Sequence, residues 1–402
     1  MNVLQVNTVY PFGSTGRITA EIAAYTAAQA DDHAYVAFGI GEPARQERLT
    51  AVRIGNPLER KFHGAIRMLL DAEGYGSYFA TGQLIKLCKG NNVDVVHLHN
   101  LHGCYLNLKR WFRYLQKSGV PVVWTLHDCW PLTGHCAHFD DCGCEKWQTL
   151  CFECPQQKSY PECVGIDGSK RNYRLKKKLF RSLDRLTIVL PCRWMRGIAE
   201  NSFLKEIQIR VIYNGVDTRQ FKPIASDLRA KYGLEKQKIV LAVASIWNDQ
   251  KGLKTLRQLS QMLNGDYRIV ILGLTKEQIG ALPQSIIGLE RTAEPMLLRA
   301  WYGAADCFVN PTFEDTMPLV NLEALACGTP VVTFNTGGCP EAVTEACGLV
   351  VEKGDLQGLA DAVMQICDSG VDYSQACIEQ AKRFDAENTV RAYDALYREV
   401  AR

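Results

Sequence analysis

The chain has no apolar run near the roughly 18 to 20 residues that cross a bilayer, no low-complexity tract and no internal repeat. Membrane-spanning and repeat architectures are therefore not expected. Charge of one sign is not in excess: 46 Lys and Arg against 43 Asp and Glu leave a net charge of +3. No whole-molecule field draws such a chain onto polyanions, so nucleic-acid binding would need a local basic patch. The opening stretch "MNVLQVNTVYPFG" lacks a basic leader, an apolar core and a small-residue cleavage site. It reads as a first strand, and a cytoplasmic location is expected.

Cysteine, by contrast, is plentiful, with 16 in all. Cys307, Cys327 and Cys367 sit in apolar surroundings and read as small buried hydrophobes. Five others crowd into "TGHCAHFDDCGCEKWQTLCFECPQ", residues 133–156. In a reducing compartment such a group holds metal sooner than disulfides. Cys136, Cys144, Cys151 and Cys154 form C-x7-C-x6-C-x2-C, a set suited to tetrahedral zinc, with Cys142 able to stand in for Cys144.

At 402 residues the chain exceeds one ordinary core, and two domains of roughly 150 to 200 residues are expected. Short Val- and Ile-rich runs alternate with helical patterns throughout. "VDVVHLHN", "PVVWTLHD", "KIVLAVASIW" and "TPVVTF" are examples of the former. Strands buried on both faces and separated by helices predict an α/β fold of two doubly wound parallel sheets. The turn-rich stretch "NGVDTRQFKP" marks the boundary, giving domains at 1–213 and 214–383, with a terminal helix at 384–402 packing back on the first. Ligands of open sheets bind beyond the strands' carboxyl ends, so the expected active site is the cleft between two facing domains.

Several strand ends carry polar residues. "PFGSTGR" places Gly13, Ser14 and Gly16 between a first strand and a helix, where unpaired N–H groups can meet an anion. "VWTLHDCW" puts His127 and Asp128 at a strand end, and His97 and His99 of "VHLHNLHG" share one strand face as core histidines. "NDQKGLKTL" sets Lys251 in a strand-to-helix turn. In "NPTFEDTMPLVNLEALACGTPVVTF" a helix is expected to start around Met317, with Pro318 in its first turn and its positive end available to a phosphate. Asp315 and Glu323 bracket that terminus, and Gly337 and Gly338 form a further backbone nest.

These pieces, in this order, resemble the family-4 retaining glycosyltransferases of the two-domain GT-B type. The likeness is nearest the bacterial exopolysaccharide and O-antigen branch, colanic acid-type enzymes included, which shares "HDCWPLTGHC" and a following cysteine group. The resemblance implies an acceptor-side first domain and a second domain that binds the nucleotide-sugar. It puts Asp315 at the donor sugar, Glu323 at the ribose, His127 beside the reacting sugar and Lys251 at the diphosphate. Asn214 and the backbone of Leu319 and Val320 join the donor site, as do Gly13, Ser14 and Gly16. Where many members carry an Arg five residues before this Lys, Ile246 stands, so Arg193 or Arg291 is expected to replace it. Relatives keep cysteines at 136, 144, 151 and 154, which favours Cys144 over Cys142.

The implied reaction is transfer of a sugar from a nucleotide-sugar to a lipid-linked glycan, with retention and no covalent intermediate. No D-x-D tripeptide occurs, and no catalytic divalent metal is expected; structural zinc is. The basic stretch 169–185, "SKRNYRLKKKLFRSLDR", offers Leu175, Leu179 and Leu183 along one stripe and cations elsewhere. It is the expected peripheral contact with the cytoplasmic face of the inner membrane. A sugar-nucleotide epimerase or another GT-B enzyme is the alternative. A zinc-dependent nucleic-acid binder ranks third, since no His-x3-5-His follows the cysteines and no nucleic-acid partner is expected.

Overall fold

The structure is a computed structural model that describes residues 1–292 and 294–402. It resolves into two compact units, Met1–Ile212 with Val390–Arg402, and Tyr213–Thr389.

The first unit is built on eight strands: β1 (Asn2–Tyr10), β2 (His33–Gly41), β3 (Ala44–Arg45), β4 (Leu49–Arg53), β5 (Val95–Leu98), β6 (Val122–Thr125), β7 (Leu186–Leu190) and β8 (Gln208–Val211). Their order is β3-β4-β2-β1-β5-β6-β7-β8, parallel except for the β3–β4 edge pair. Val3, Leu4 and Val6 of β1 are sealed on both faces of the sheet, each worth about 1.5–3 kcal/mol of hydrophobic burial. Parallel pairing forces the crossover helices that supply this cover.

The second unit is an all-parallel sheet of β9 (Lys238–Val243), β10 (Tyr267–Leu274), β11 (Ile286–Glu290), β12 (Cys307–Asn310), β13 (Val331–Phe334) and β14 (Gly348–Val351), in the order β11-β10-β9-β12-β13-β14. Val240, Ile269, Ile271, Val309 and Val332 pack on Leu256, Leu259, Leu359 and Val363 of its helices. The strand order reverses between β9 and β12, both of whose carboxyl ends lead into turns that carry candidate site residues.

Two helices differ from the sequence expectation. The helix of the acidic motif is Leu319–Ala326, not one from Met317, because Pro318 takes the N-cap with an extended ψ of 118°; a residue preceding proline is biased out of the helical region. The basic helix runs Ser169–Phe180, not to 185. It buries Tyr173, Lys176 and Phe180, while Leu175, Leu179 and Leu183 are half-buried and the cations Lys170, Arg171, Arg174, Lys177 and Lys178 are exposed.

Candidate active site

In the second unit two turns are hydrogen-bonded together. The Phe313 N–H donates to Gln250 O at 2.7 Å, and Thr312 Oγ1 reaches the same carbonyl at 3.3 Å. Gly252 permits this approach: its φ is +84°, and a Cβ there would stand 2.3 Å from Pro311 O. Lys251 is thereby delivered to the acidic motif. Its Nζ donates to Asp315 Oδ2 at 2.7 Å and to Glu314 O at 3.0 Å. Burial works against the ammonium, but the Asp315 carboxylate outweighs it and holds the Lys251 pKa above its ordinary value. Gly337, at φ +54°, brings its own backbone against the Asp315 carbonyl, leaving only 1.7 Å for a Cβ.

Glu323 is deeply buried and accepts a hydrogen bond from Tyr302 OH at 3.0 Å. Asn214, buried as well, donates from Nδ2 to Met317 O at 3.4 Å. The strand-end Asn310 donates to Asn321 Oδ1 at 2.8 Å, fixing the helix that carries Leu319 and Val320. Arg291 lies beyond β11 and is exposed, and Ile246 is also exposed; no contact joins Arg291 to Lys251 among the interactions described.

The first unit collects histidines. His99 Nε2 lies 3.0 Å from Gln5 Oε1, and His99 Nδ1 lies 3.0 Å from His127 Nε2. Gln5 donates its own amide to Thr19 O at 3.2 Å, which orients that side chain. With Gln5 Oε1 as acceptor, His99 carries its hydrogen on Nε2, and His127 donates from its own Nε2. Nδ1 is then the acceptor nitrogen of His127. Burial presses the His127 pKa down to about 4 despite the raising effect of Asp128, so the ring is neutral near pH 7. Asp128 accepts from His102 Nε2 at 2.8 Å and from the Trp130 N–H at 2.9 Å. Although burial opposes ionisation, His102 holds Asp128 down to about 2. His102 was not singled out in the sequence, although it stands in "VHLHNLHG"; its alignment with Asp128 needs the β5–β6 neighbourhood.

Gly13 opens the helix Gly13–Ala28 with φ +69° and is exposed, as is Ser14. Gly16 is buried, with room for a Cβ only at 3.2 Å from Val9 O. Arg193 begins the helix Arg193–Glu200, capped by Cys192 Sγ, and is exposed.

A profile described as Glycosyltransferase Family 4 matches residues 15–220, just over half of the chain, and one described as Glycosyl transferases group 1 matches residues 237–369. The chain belongs to glycosyltransferase family 4. It is 28% identical, over 64% of each chain, to a protein of Escherichia coli (strain K12) described as a colanic acid biosynthesis glycosyl transferase, WcaC. It is 31% identical, over 47% of each, to a D-inositol 3-phosphate glycosyltransferase of Mycolicibacterium smegmatis. These matches span less than two thirds of the relatives' lengths. Among solved structures, sucrose-phosphate synthase from Thermosynechococcus elongatus superposes with a TM-score of 0.75 at 17% identity, over 100% of this chain and 99% of that one. Anabaena HepE in complex with UDP-glucose gives 0.67 at 17% identity, over 99% and 100%. The fold of this family-4 chain is GT-B.

The cysteine group of the family-4 chain is legible in three dimensions. Cys136, Cys144, Cys151 and Cys154 line one small cavity with His135, Lys146 and Trp147. Cys142 is outside that lining and exposed, its thiol donating to Phe139 O at 3.3 Å. Cys154 Sγ accepts hydrogen bonds from Cys136 and from the Gln156 N–H, which hold it below the ordinary thiol value. Cys151 receives the Gly134 N–H, although burial raises it to about 11. Backbone donors aimed at sulfur suit thiolates, but among the described residues these four sulfurs are not one of the groups whose ligand atoms gather within 4.8 Å. Elsewhere, among the described residues, His63, Glu73 and Cys104 bring ligand atoms within 4.8 Å of one another. They serve as a brace: His63 meets Ser77 Oγ at 2.9 Å and the Gly74 N–H at 3.1 Å, while Glu73 accepts the Cys104 N–H at 3.0 Å.

Among the described residues no helix is long and apolar enough to cross a membrane. The helix Pro57–Leu70, however, turns an apolar stripe outward: Leu58 is 78% exposed, Phe62 66% and Leu69 57%. Phe79, 76% exposed, is tied to it through its N–H on Glu59 Oε1 at 2.7 Å. Arg171 caps its far end, donating to Leu70 O at 2.8 Å.

Proposed function

We propose that the chain transfers a hexosyl group from a nucleotide-sugar to a glycan carried on a lipid diphosphate, in cell-surface polysaccharide assembly. The observation that carries this reading is the Lys251–Asp315 pair, fixed at 2.7 Å by the joined turns and Gly337. Asp315 serves the sugar, Glu323 the ribose, and Lys251 the diphosphate, together with the backbone of Leu319 and Val320 at the positive end of their helix. Asn214 supports that helix through Met317, and either Arg291 or Arg193 stands in for the cation that Ile246 does not supply. The bond from the anomeric carbon to the diphosphate oxygen breaks, and the acceptor oxygen bonds to the same face of that carbon. The acceptor proton leaves with the departing diphosphate, whose charge Lys251 offsets without a catalytic divalent ion. His127, neutral with Nδ1 as acceptor, takes a sugar hydroxyl hydrogen bond. Retention follows without a covalent glycosyl-enzyme.

Zinc at Cys136, Cys144, Cys151 and Cys154 would hold the loop 133–156, which has little core of its own. The outward stripe of the helix Pro57–Leu70, flanked by exposed Lys61, Lys170, Arg171 and Arg174, supports contact with an anionic bilayer on the cytoplasmic side. It adds to the basic helix, whose leucines are half-buried and whose cations are exposed. The WcaC likeness supports the polysaccharide role, and the UDP-glucose complex of HepE supports a nucleotide-sugar donor.

Thermal denaturation against UDP, GDP, ADP, CMP and their common sugar conjugates tests the donor reading. A rise of several degrees with one nucleotide, larger with one of its sugars, is expected. No shift with any of them overturns it. For the surface, sedimentation with anionic vesicles should capture the wild type and lose F62E/L69E; equal capture removes the helix Pro57–Leu70 from the contact.

A further inference from the structure

The segment that follows the cysteine loop carries an aromatic side chain whose two ends meet different surroundings. Tyr160 is 55% exposed, yet its hydroxyl is turned to a buried histidine. The hydroxyl lies 2.8 Å from His102 Nδ1, and His102 Nε2 lies 2.8 Å from Asp128 Oδ2. Asp128 accepts the Trp130 N–H as well, and both His102 and Asp128 are buried. A carboxylate only accepts, so His102 carries its hydrogen on Nε2 and takes the phenol hydrogen at Nδ1. Burial of the hydroxyl pushes the Tyr160 pKa above the ordinary phenol value, which keeps that hydrogen in place.

The backbone is fixed too. The Tyr160 carbonyl accepts the Ala137 N–H at 3.2 Å, and the Ala137 carbonyl accepts the Cys129 N–H at 2.8 Å. Both ties lead to the residues that directly follow His127, Asp128 and Cys129, past the carboxyl end of β6. An exposed side chain ordinarily keeps its rotamer freedom; this one is locked with its ring open to solvent beside the site. The negative π-face of such a ring attracts the C–H bonds on one side of a pyranose.

The same segment runs on to the outward apolar stripe. The Val164 and Ile166 N–H groups donate to Met68 O and Leu69 O, each at 2.9 Å, and both side chains are exposed. Gly165 permits the approach, since a Cβ there would stand 2.0 Å from Leu69 O. The chain from Tyr160 to Val164 spans at most about 14 Å, a distance that a diphosphate and a short glycan bridge.

We propose that Tyr160 is the stacking platform of the acceptor subsite: a pyranose of the membrane-borne glycan lies on its ring, and His102, held by Asp128, fixes the ring through its hydroxyl. This rests on the reading of the chain as a transferase to a lipid-linked glycan. In that reading Lys251, Asp315 and Glu323 of the other unit hold the nucleotide-sugar, which leaves the Tyr160 face to the second substrate.

The test is saturation-transfer difference NMR on the full chain, with and without UDP, using the methyl glycosides of glucose, galactose, mannose, fucose and N-acetylglucosamine as probes. Wild type should saturate the ring C–H protons of at least one of them. With that glycoside the signal should fall about 10-fold in Y160A, the cost of one aromatic contact, and Y160W should restore it. Y160F should show an intermediate loss. H102L should match Y160F, and H102N, which sets an amide oxygen where Nδ1 stood, should recover the difference. Y160L, bulky without an aromatic face, replaces Y160A if that variant does not fold. Saturation in Y160A within twofold of wild type overturns the proposal, as does no saturation of any glycoside by wild type. Melting against the nucleotide panel keeps the two readings apart. Y160A should retain the full nucleotide shift; loss of that shift would put the ring under the donor's base and overturn the acceptor subsite. A glycoside held by Tyr160 in a chain that no nucleotide stabilises overturns the transferase reading and leaves the sugar platform standing.

Discussion

Lys251 Nζ stands 2.7 Å from Asp315 Oδ2, although 63 residues separate the two in the chain. The pair is held from three sides: by Gly252 packed on Pro311, by Phe313 bonded to Gln250, and by Gly337 lying against the Asp315 carbonyl. A cation so placed already balances one carboxylate and can turn to a diphosphate without its charge having to move far.

K251M should abolish nucleotide-dependent thermal stabilisation and lower kcat about 10²- to 10³-fold, the range for removing one donor to developing charge. The melting temperature without nucleotide should change little, because the side chain is partly exposed. Steady-state kinetics with the best donor would check this; near-normal kcat would remove Lys251 from the diphosphate.

G337A should destabilise the second unit more than G233A. Both glycines have positive φ, +54° and +65°, but only the Cβ at 337 meets an atom, Asp315 O at 1.7 Å. Backbone strain alone costs about 1–3 kcal/mol, and the clash adds to it while displacing Asp315. Urea melts of both variants, with donor titrations, should show a larger loss at 337 and donor affinity lost only there.

Acid should destabilise the first unit early. Burial depresses His127 to about 4, and His97 and His99 also lie well below the ordinary value. Above pH of about 6.5 these rings are neutral in both folded and unfolded chains, so they cost nothing. As pH falls below that value the unfolded chain takes up protons and the folded chain does not, so stability declines until the folded groups titrate. His127 alone contributes about 3 kcal/mol to this loss by pH 4. H127N should flatten the slope of unfolding free energy between pH 6.5 and 4; an unchanged slope would show that His127 titrates normally.

C142S should retain the full metal content of the wild type, whereas C151S should lose it and melt at a lower temperature. Metal analysis of protein purified without chelator decides between them. Equal loss in both would place Cys142 in the ligand set.

The parallel sheets were legible because unbroken Val- and Ile-rich runs bounded by turn residues have few other ways to bury both faces. The acidic motif was legible because Asp315 and Glu323 lie on one short segment, where spacing alone carries meaning. The start of its helix was misjudged by two residues, since Pro318 fits a first turn and a cap almost equally well. The basic helix was read as the membrane contact, whereas Tyr173 and Phe180 take its inner face, its leucines are half-buried, and a solvent-facing apolar stripe belongs to Pro57–Leu70. Periodicity gives the angle between faces but does not say which one the neighbours cover.

By itself the sequence determined the fold class, the family and the residue types gathered at each strand end, because these depend on local pattern and on spacing within one segment. The tertiary structure decided which of those residues meet. Lys251 with Asp315, His99 with His127, His102 with Asp128 and His135 with Asp71 are joined across 64, 28, 26 and 64 positions. Contacts of that range follow from sheet order and from the close approaches glycine permits, and no local pattern encodes either.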